Sequence, residues 1–192
     1  MPVSEWNGGK VHFVRPNVIH LMRGQVFTLQ GQTYFTFGGA SSHDIQDGIL
    51  DPEAYAFGTQ DPDFKAKRKY LDSLGAMYRI KGVSWWEREL PNKQEMAEGL
   101  ENLKKCGNKV DYIISHSPCT SDMFLMGGSG LYQPDIISNY LEEVRATTEY
   151  KKWYFGHMHI NKQLNLQNLC LYEQILMVPD KKYVYQFPEE ER

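Results

Sequence analysis

YIISHSP, residues 112–118, and WYFGHMH, residues 153–159, are the two stretches that decide how this chain folds. Each is a short apolar run, typical of a buried strand, followed at once by a loop that carries histidine. A helical pattern lies between them, so the order strand, helix, strand predicts an α/β arrangement. Ligands bind at the carboxyl ends of the strands in open α/β sheets. If the two strands are neighbours, His116, His157 and His159 converge at one such edge.

The segments around these two stretches also follow α/β patterns. Asp61-Pro62 predicts the start of a helix that reaches about Leu74 and stops at Gly75, and Gly107 ends another over about 92–106. A third helix is predicted over 134–147, with a buried stripe of Ile136, Ile137, Tyr140, Leu141 and Val144. Residues 45–60 indicate a loop, and Gln30-Gly31 indicates a tight hairpin. Further strands are predicted at 10–14, 18–22, 25–29 and 33–37, and antiparallel ones at 163–166, 169–175 and 182–187.

Length and composition indicate one soluble α/β domain over residues 1–192. The chain is 41% hydrophobic and 23% charged, which is ordinary for a globular protein. A net charge of −3 argues against a protein that wraps nucleic acid, because neutralising phosphates requires a basic surface. The three cysteines form no CxxC pair, and neither a signal peptide nor an apolar stretch of membrane-spanning length occurs. We therefore expect a cytoplasmic protein without a membrane partner.

The histidine pattern indicates metal binding. His157 and His159 are two residues apart, so in an extended segment both rings would point to the same side. Neutral imidazole is a good ligand for zinc, iron, nickel and copper. The alternative is that these are ordinary surface histidines or satisfied core histidines, which is the better interpretation of any single one. The joint pattern with His116 favours a metal site.

Together, residues 114–118 (ISHSP) and 156–159 (GHMH) resemble the last two signatures of the calcineurin-like metallophosphoesterases. The turn at residues 38–40 and the segment GVSWW, residues 82–86, resemble a bacterial and phage branch of serine/threonine-phosphatase-like members. The resemblance covers roughly residues 3–175. It implies mixed sheets flanked by helices and a two-metal centre of Mn, Zn or Fe that binds a phosphate ester and activates water. By that resemblance, His116 and His157 ligate one metal and His159 the other.

The chain departs from that family in its carboxylates. The family's Asp-x-His, Gly-Asp and Gly-Asn-His-Glu signatures do not occur in this sequence. Residues 1–6 resemble the stretch that follows Gly-Asn-His-Glu, so we expect the N-terminal part of the fold to be lacking. Three neutral imidazoles supply no negative charge, so this chain alone is expected to hold one metal ion or none. A single ion on three histidines and a water is a known catalytic arrangement.

Three further residues are candidates for substrate chemistry. His43 follows the turn at residues 38–40 and could act as an acid or contact phosphate, or it could be an ordinary turn residue. Asp44 beside it and Trp85 are candidate substrate contacts, although an aromatic loop residue such as Trp85 more often packs. Cys119 lies three residues after His116, yet nothing in the sequence would activate its thiol.

Two functions follow from these patterns. The first is an enzyme that hydrolyses a phosphorylated substrate, such as a phosphoprotein or nucleotide, and is completed by an N-terminal fragment or a second protomer. The second is an inactive binding module or protein inhibitor built on the same fold. The histidines favour the enzyme, since an inactive scaffold has no chemical need for them.

Overall fold

The computed structural model describes residues 1–127, 133–177 and the backbone of 184–185. The chain forms two compact units, the first from Met1–Ala40 and Pro91–Arg192 and the second from Ser41–Leu90. The fold is mixed α/β, with a mixed sheet flanked by helices, as the sequence predicts. Among the described residues, no helix has the length and apolar character needed to cross a bilayer.

The strands and helices are numbered here in chain order. The strands are β1 Ser4–Trp6, β2 Gly9–Arg15, β3 Val18–Leu21, β4 Gln25–Leu29, β5 Gln32–Phe37, β6 Ile49–Leu50, β7 Arg79–Ile80, β8 Lys109–Ser115, β9 Glu149–Phe155, β10 Lys162–Gln163, β11 Asn168–Cys170, β12 Ile175–Leu176 and β13 Val184–Tyr185. The helices are α1 Pro62–Ser73, α2 Lys93–Lys105, α3 Thr120–Leu125 and α4 Ile136–Thr147.

The main sheet of the first unit has six strands in the order β10-β11-β9-β8-β5-β4. Strands β5, β8, β9 and β11 run parallel, and the two edge strands are antiparallel to their neighbours. Ile113 in β8 pairs with Phe35 on one side and with Trp153 on the other, and all three are fully buried. The carboxyl ends of β5, β8, β9 and β11 therefore lie at one edge of this sheet.

The last part of the chain differs from the sequence prediction. Residues 168–170 form β11 parallel to β9, so the expectation of a purely antiparallel arrangement over 163–175 is wrong. Three residues show too few alternations to reveal strand direction, which is set here by pairing with β9. Of the predicted strand 182–187, only β13 lies within the described residues, and it pairs antiparallel with β12.

Strands β1, β2 and β3 form a separate antiparallel sheet in the first unit. The hairpin between β4 and β5 is turned by Gln30 and Gly31, at φ 50° and 73°. Two consecutive left-handed residues match the right-handed twist of the flanking strands, which confirms the predicted tight turn.

Capping residues fix the helices of the first unit. The side chain of Asn92 accepts from the backbone of Glu95, and Glu95 accepts from the backbone of Asn92, so α2 begins with a capping box. Helix α4 is capped by Asp135 and buries Ile137, Tyr140, Leu141 and Val144. Ile136 is 47% exposed, so its predicted place in the stripe is wrong, since it lies one residue and about 100° away from Ile137. The sequence did not predict α3, whose six residues are too few for a periodic pattern.

The second unit is built around a small apolar core. Leu50, Phe64 and Ile80 are buried together, with Tyr55 and Tyr78 packed against them. Helix α1 begins where predicted, since the Asp61 side chain accepts from the backbone of Asp63. The predicted loop over 45–60 contains β6 and two 3-10 turns, Pro52–Ala54 and Gly58–Gln60.

Candidate functional site

Two of the three histidines singled out in the sequence directly follow neighbouring parallel strands. His116 comes after β8 and His157 follows β9 by two residues. The His116 N–H donates to the carbonyl of Phe37 at 3.2 Å, and the Gly156 N–H donates to the carbonyl of His116 at 3.0 Å. These bonds continue the sheet by one residue and join the ends of β5, β8 and β9. The histidine edge, defined here as His116, His157 and His159, therefore rests on ordered backbone.

The rings of His116 and His157 lie side by side. Their centroids are 5.1 Å apart, with an angle of 65° between the ring planes. Two imidazoles bound to one tetrahedral zinc at about 2.1 Å would have centroids about 5 Å apart. The centroid separation of this pair is therefore compatible with two imidazoles that share one divalent cation.

The backbone of the Gly-His-Met-His segment is turned, and the expectation that an extended segment directs both rings to one side is wrong. His157 has φ 68° and His159 has φ 52°, both left-handed. The Met158 N–H donates to the carbonyl of Gly156 at 2.8 Å, which closes a three-residue γ-turn around His157. The His159 ring stacks on Tyr172, with centroids 5.2 Å apart and 26° between planes. Tyr172 is a neighbour that sequence reasoning missed, because it lies in the loop after β11.

The environment of His116 favours its neutral form. His116 keeps an exposed face, yet partial desolvation lowers its imidazole pKa, and the charge of nearby His159 lowers the pKa further. Neutral imidazole is the form that binds metal. Among the described residues, however, no group of three or more His, Cys, Asp or Glu side chains is arranged to hold a metal ion. The structure thus brings the rings of His116 and His157 together, whereas the His159 ring stacks on Tyr172.

A chain of hydroxyl hydrogen bonds supports the loop that carries His116. The buried Trp153 Nε1–H donates to Ser115 Oγ at 2.8 Å, and this hydroxyl donates to the carbonyl of Ser117 at 2.7 Å. The Ser117 hydroxyl donates to the carbonyl of Gly39 at 2.8 Å. These contacts fix the loop against β9 and the end of β5. They position His116 without contacting a ligand.

Cys119 lies behind this loop and cannot act as a nucleophile. It is fully buried, and burial followed by the charge of Asp122 raises the pKa of its thiol. The thiol therefore stays protonated, consistent with the missing activation in the sequence. Asp122 is also fully buried, and it accepts a hydrogen bond from the Asn168 amide at 2.5 Å.

The remaining candidates, His43, Asp44 and Trp85, belong to the second unit. The Arg79 guanidinium donates to the Asp44 carboxylate and holds the pKa of that carboxyl below its usual range, with a smaller contribution from His43. Trp85 is half-buried, and its backbone N–H donates to the carbonyl of Ile80 at 3.1 Å. Asp44 is thus engaged in an ion pair. Arg79, which forms this ion pair, was not singled out in the sequence, because nothing there distinguishes it from other arginines.

Comparisons of the chain with known protein families, with curated proteins and with solved structures give no match in any of the three.

Proposed function

We propose that the histidine edge is part of a metal-dependent site that hydrolyses a phosphate ester, on a metallophosphoesterase-like fold. The observation that carries the proposal is the His116–His157 pair, with centroids 5.1 Å apart at the carboxyl ends of two parallel strands. Ligand sites of α/β sheets lie at this edge. The resemblance of residues 114–118 and 156–159 to metallophosphoesterase signatures supplies the reaction class.

The residues of this chain act as ligands and as their supports. His116 and His157 would hold a divalent cation, Mn, Zn or Fe, through one nitrogen each. A metal in such a site supplies Lewis acidity and a water of lowered pKa as nucleophile. The lowered pKa of His116 keeps its imidazole neutral for this role. His159, held against Tyr172, faces solvent and is proposed to contact the second metal or the phosphate.

The carboxylates of such a site are proposed to come from outside the described residues. A pair of divalent cations needs bridging and terminal anions, and the described residues contain no group of three or more His, Cys, Asp or Glu that could hold a metal ion. An N-terminal fragment or a second copy of this chain would complete the site. His43 as an acid, and Asp44 and Trp85 as substrate contacts, are separate proposals for the second unit and are not assigned to the histidine edge.

The experiment measures metal content and hydrolysis together. The wild-type chain and the variants His116→Gln, His157→Gln and His20→Gln are loaded with manganese or zinc, dialysed and analysed for metal. Hydrolysis of an aryl phosphate is measured with and without a co-expressed fragment that carries the three missing signatures. We expect His116→Gln and His157→Gln to weaken metal binding at this edge at least tenfold and to abolish turnover. His20→Gln, in the other sheet of the same unit, is the control and should retain turnover.

A second candidate function is an inactive binding module or protein inhibitor. It is favoured by the exposure of two consecutive large apolar side chains at the end of α3, Phe124 at 61% and Leu125 at 56%. Exposed apolar groups of this kind mark contact surfaces when they cluster. If no metal binds and no turnover occurs under any of the conditions above, the enzyme proposal is refuted and the binding module remains as the candidate function. Metal-supported turnover that depends on His157 would refute the module.

A further inference from the structure

A second histidine pair lies on the β2–β3 hairpin, away from the strands that form the histidine edge. His12 and His20 are direct cross-strand partners. Their rings are 5.6 Å apart between centroids and nearly parallel, at 5°. His12 is half-buried and His20 is exposed, so this pair faces solvent.

The surroundings of His12 fix which nitrogen is available. His12 Nδ1 lies 3.0 Å from the carbonyl oxygen of Pro2. A carbonyl can only accept, so Nδ1 carries the proton and Nε2 of the neutral ring keeps its lone pair. Metal-binding histidines almost always donate their second ring N–H in this way, often to a backbone carbonyl. The hydrogen bond to Pro2 therefore orients the His12 ring and leaves the lone pair of Nε2 available to bind a metal ion.

Lys10, two residues before His12 on β2, is already engaged by a carboxylate. Its ammonium lies 2.6 Å from the Glu98 carboxylate. A bulge in β2 pairs Arg15 with Val18, so a second basic residue lies on this face of the hairpin. The strand register also places Glu5 directly opposite Lys10. The two rings are stacked, so their nitrogens do not converge on one point in this structure. His20 is exposed, and a change of its side-chain rotamer would turn one of its nitrogens toward Nε2 of His12.

We propose that His12 and His20 form a binding site for one first-row divalent cation, of the class of Zn²⁺, Ni²⁺ or Cu²⁺, with water in the other positions. Imidazole nitrogen is the donor these ions prefer. The bound ion would join β2 to β3 and stabilise the three-stranded sheet by binding the folded state alone. This site is separate from the proposed phosphoesterase function and does not depend on it.

The test uses the full chain with the histidine edge removed. In a His116→Gln, His157→Gln background, binding of Ni²⁺ and Zn²⁺ is measured by titration calorimetry, and thermal unfolding is followed with and without the metal. The variants His12→Gln and His20→Gln are compared with His43→Gln, a histidine control in the second unit. Circular dichroism establishes that each variant is folded. If the double background does not fold, the count of bound ions is compared between wild type and His20→Gln.

We expect one ion per chain in the background protein and a metal-dependent rise in Tm. His12→Gln and His20→Gln should each weaken the affinity at least tenfold, whereas His43→Gln should not change it. Bound Cu²⁺ should show hyperfine coupling to two imidazole nitrogens in its electron paramagnetic resonance spectrum. No saturable binding in the background protein, or equal affinity in His20→Gln, would mean that the two rings only pack against each other, and the proposal would be overturned.

Discussion

His157 and His159 hold left-handed backbone conformations, at φ 68° and 52°. For a residue with a Cβ atom this conformation costs about 1–2 kcal/mol, and it persists only where the surroundings determine it. Here the γ-turn around His157 and the Tyr172 ring beneath His159 do so. Residues in such conformations cluster at functional sites, so the strain supports the choice of this segment as a site.

At the residue scale, the first prediction compares two truncations of His157. His157→Ala and His157→Gly both remove the imidazole, and both should lose metal binding at the histidine edge. Glycine adopts positive φ without penalty, so His157→Gly should be more stable than His157→Ala by about 1 kcal/mol. Urea unfolding of the two apo proteins measures the difference. A more stable alanine variant would show that position 157 is not left-handed in solution.

Asp122 gives the second prediction, since its carboxyl is fully buried. Burial raises its pKa, against the lowering effect of the Asn168 hydrogen bond. Because the folded pKa lies above the unfolded value of about 3.9, its contribution to stability is complete below that pH and is lost as the pH rises through the folded pKa. Asp122→Asn cannot ionise. As the pH rises from 4 to 7, wild type should therefore lose stability relative to Asp122→Asn. The difference in the free energy of unfolding between the two proteins should change by on the order of 1 kcal/mol in favour of the variant.

The measurement is urea unfolding at several pH values, with Glu101→Gln on the exposed side of α2 as the control carboxyl. The control should show no such gain over the same range. A constant difference between wild type and Asp122→Asn would contradict the raised pKa of this carboxyl.

At the element scale, α2 packs closely because it carries Gly99 on its buried face. A Cβ atom at Gly99 would collide with the Tyr140 hydroxyl of α4 and come within 3.2 Å of Gly24 Cα. The Tyr140 hydroxyl is buried and has no hydrogen-bond partner among the described residues. Helix α2 can thus approach its neighbours only because Gly99 has no side chain, and the space a side chain would need is occupied by the Tyr140 hydroxyl.

The third prediction follows as a double-mutant cycle. Gly99→Ala should destabilise the protein by about 1–3 kcal/mol, even though alanine favours a helix, because overpacking outweighs propensity. Tyr140→Phe removes the unpartnered hydroxyl and should be neutral or stabilising. In the double variant the cost of Gly99→Ala should shrink by at least half, measured by denaturant unfolding. Full additivity would show that the hydroxyl is not the obstacle.

The elements also show which structural information is local. The beginnings of α1 and α2 could be predicted because Asp61 and Asn92 are capping residues with a specific hydrogen-bonding role. Helix α3 and the direction of β11 could not, since six and three residues carry no usable period and long-range pairing decides them.

For the candidate site, the sequence likewise predicted which strand ends lie together but not the local contacts. A histidine after each of two apolar strands indicates a shared sheet edge, which topology rules then bring together. The left-handed turn around His157, the Tyr172 stack and the Asp44–Arg79 ion pair depend on tertiary contacts that residue types do not reveal.

At the scale of the whole molecule, the chain consists of two compact units, and the second is a continuous insertion between β5 and α2. Residues 38–42 (GGASS) and Pro91 flank it, but these are ordinary loop signals and do not by themselves mark a unit boundary. The first unit buries the larger set of aromatic residues, including Trp153, Phe27 and Phe35. The second relies on Leu50, Phe64 and Ile80.

The fourth prediction is that the second unit opens independently. Phe64 is 1% exposed, and Phe64→Ala should destabilise its surroundings by about 3–5 kcal/mol. If the units open separately, amide hydrogen exchange in α1 and β7 should accelerate by a factor of about 100 or more, since each 1.4 kcal/mol is tenfold. Amides of β8 and β9, which belong to the first unit, should then exchange at the wild-type rate. The matched substitution Phe35→Ala, in the first unit, should accelerate exchange in β8 and β9 and leave exchange in α1 and β7 unchanged. Equal acceleration in both units after Phe64→Ala would instead mean that the chain unfolds as one cooperative body, and the histidine edge would then depend on the core of the second unit.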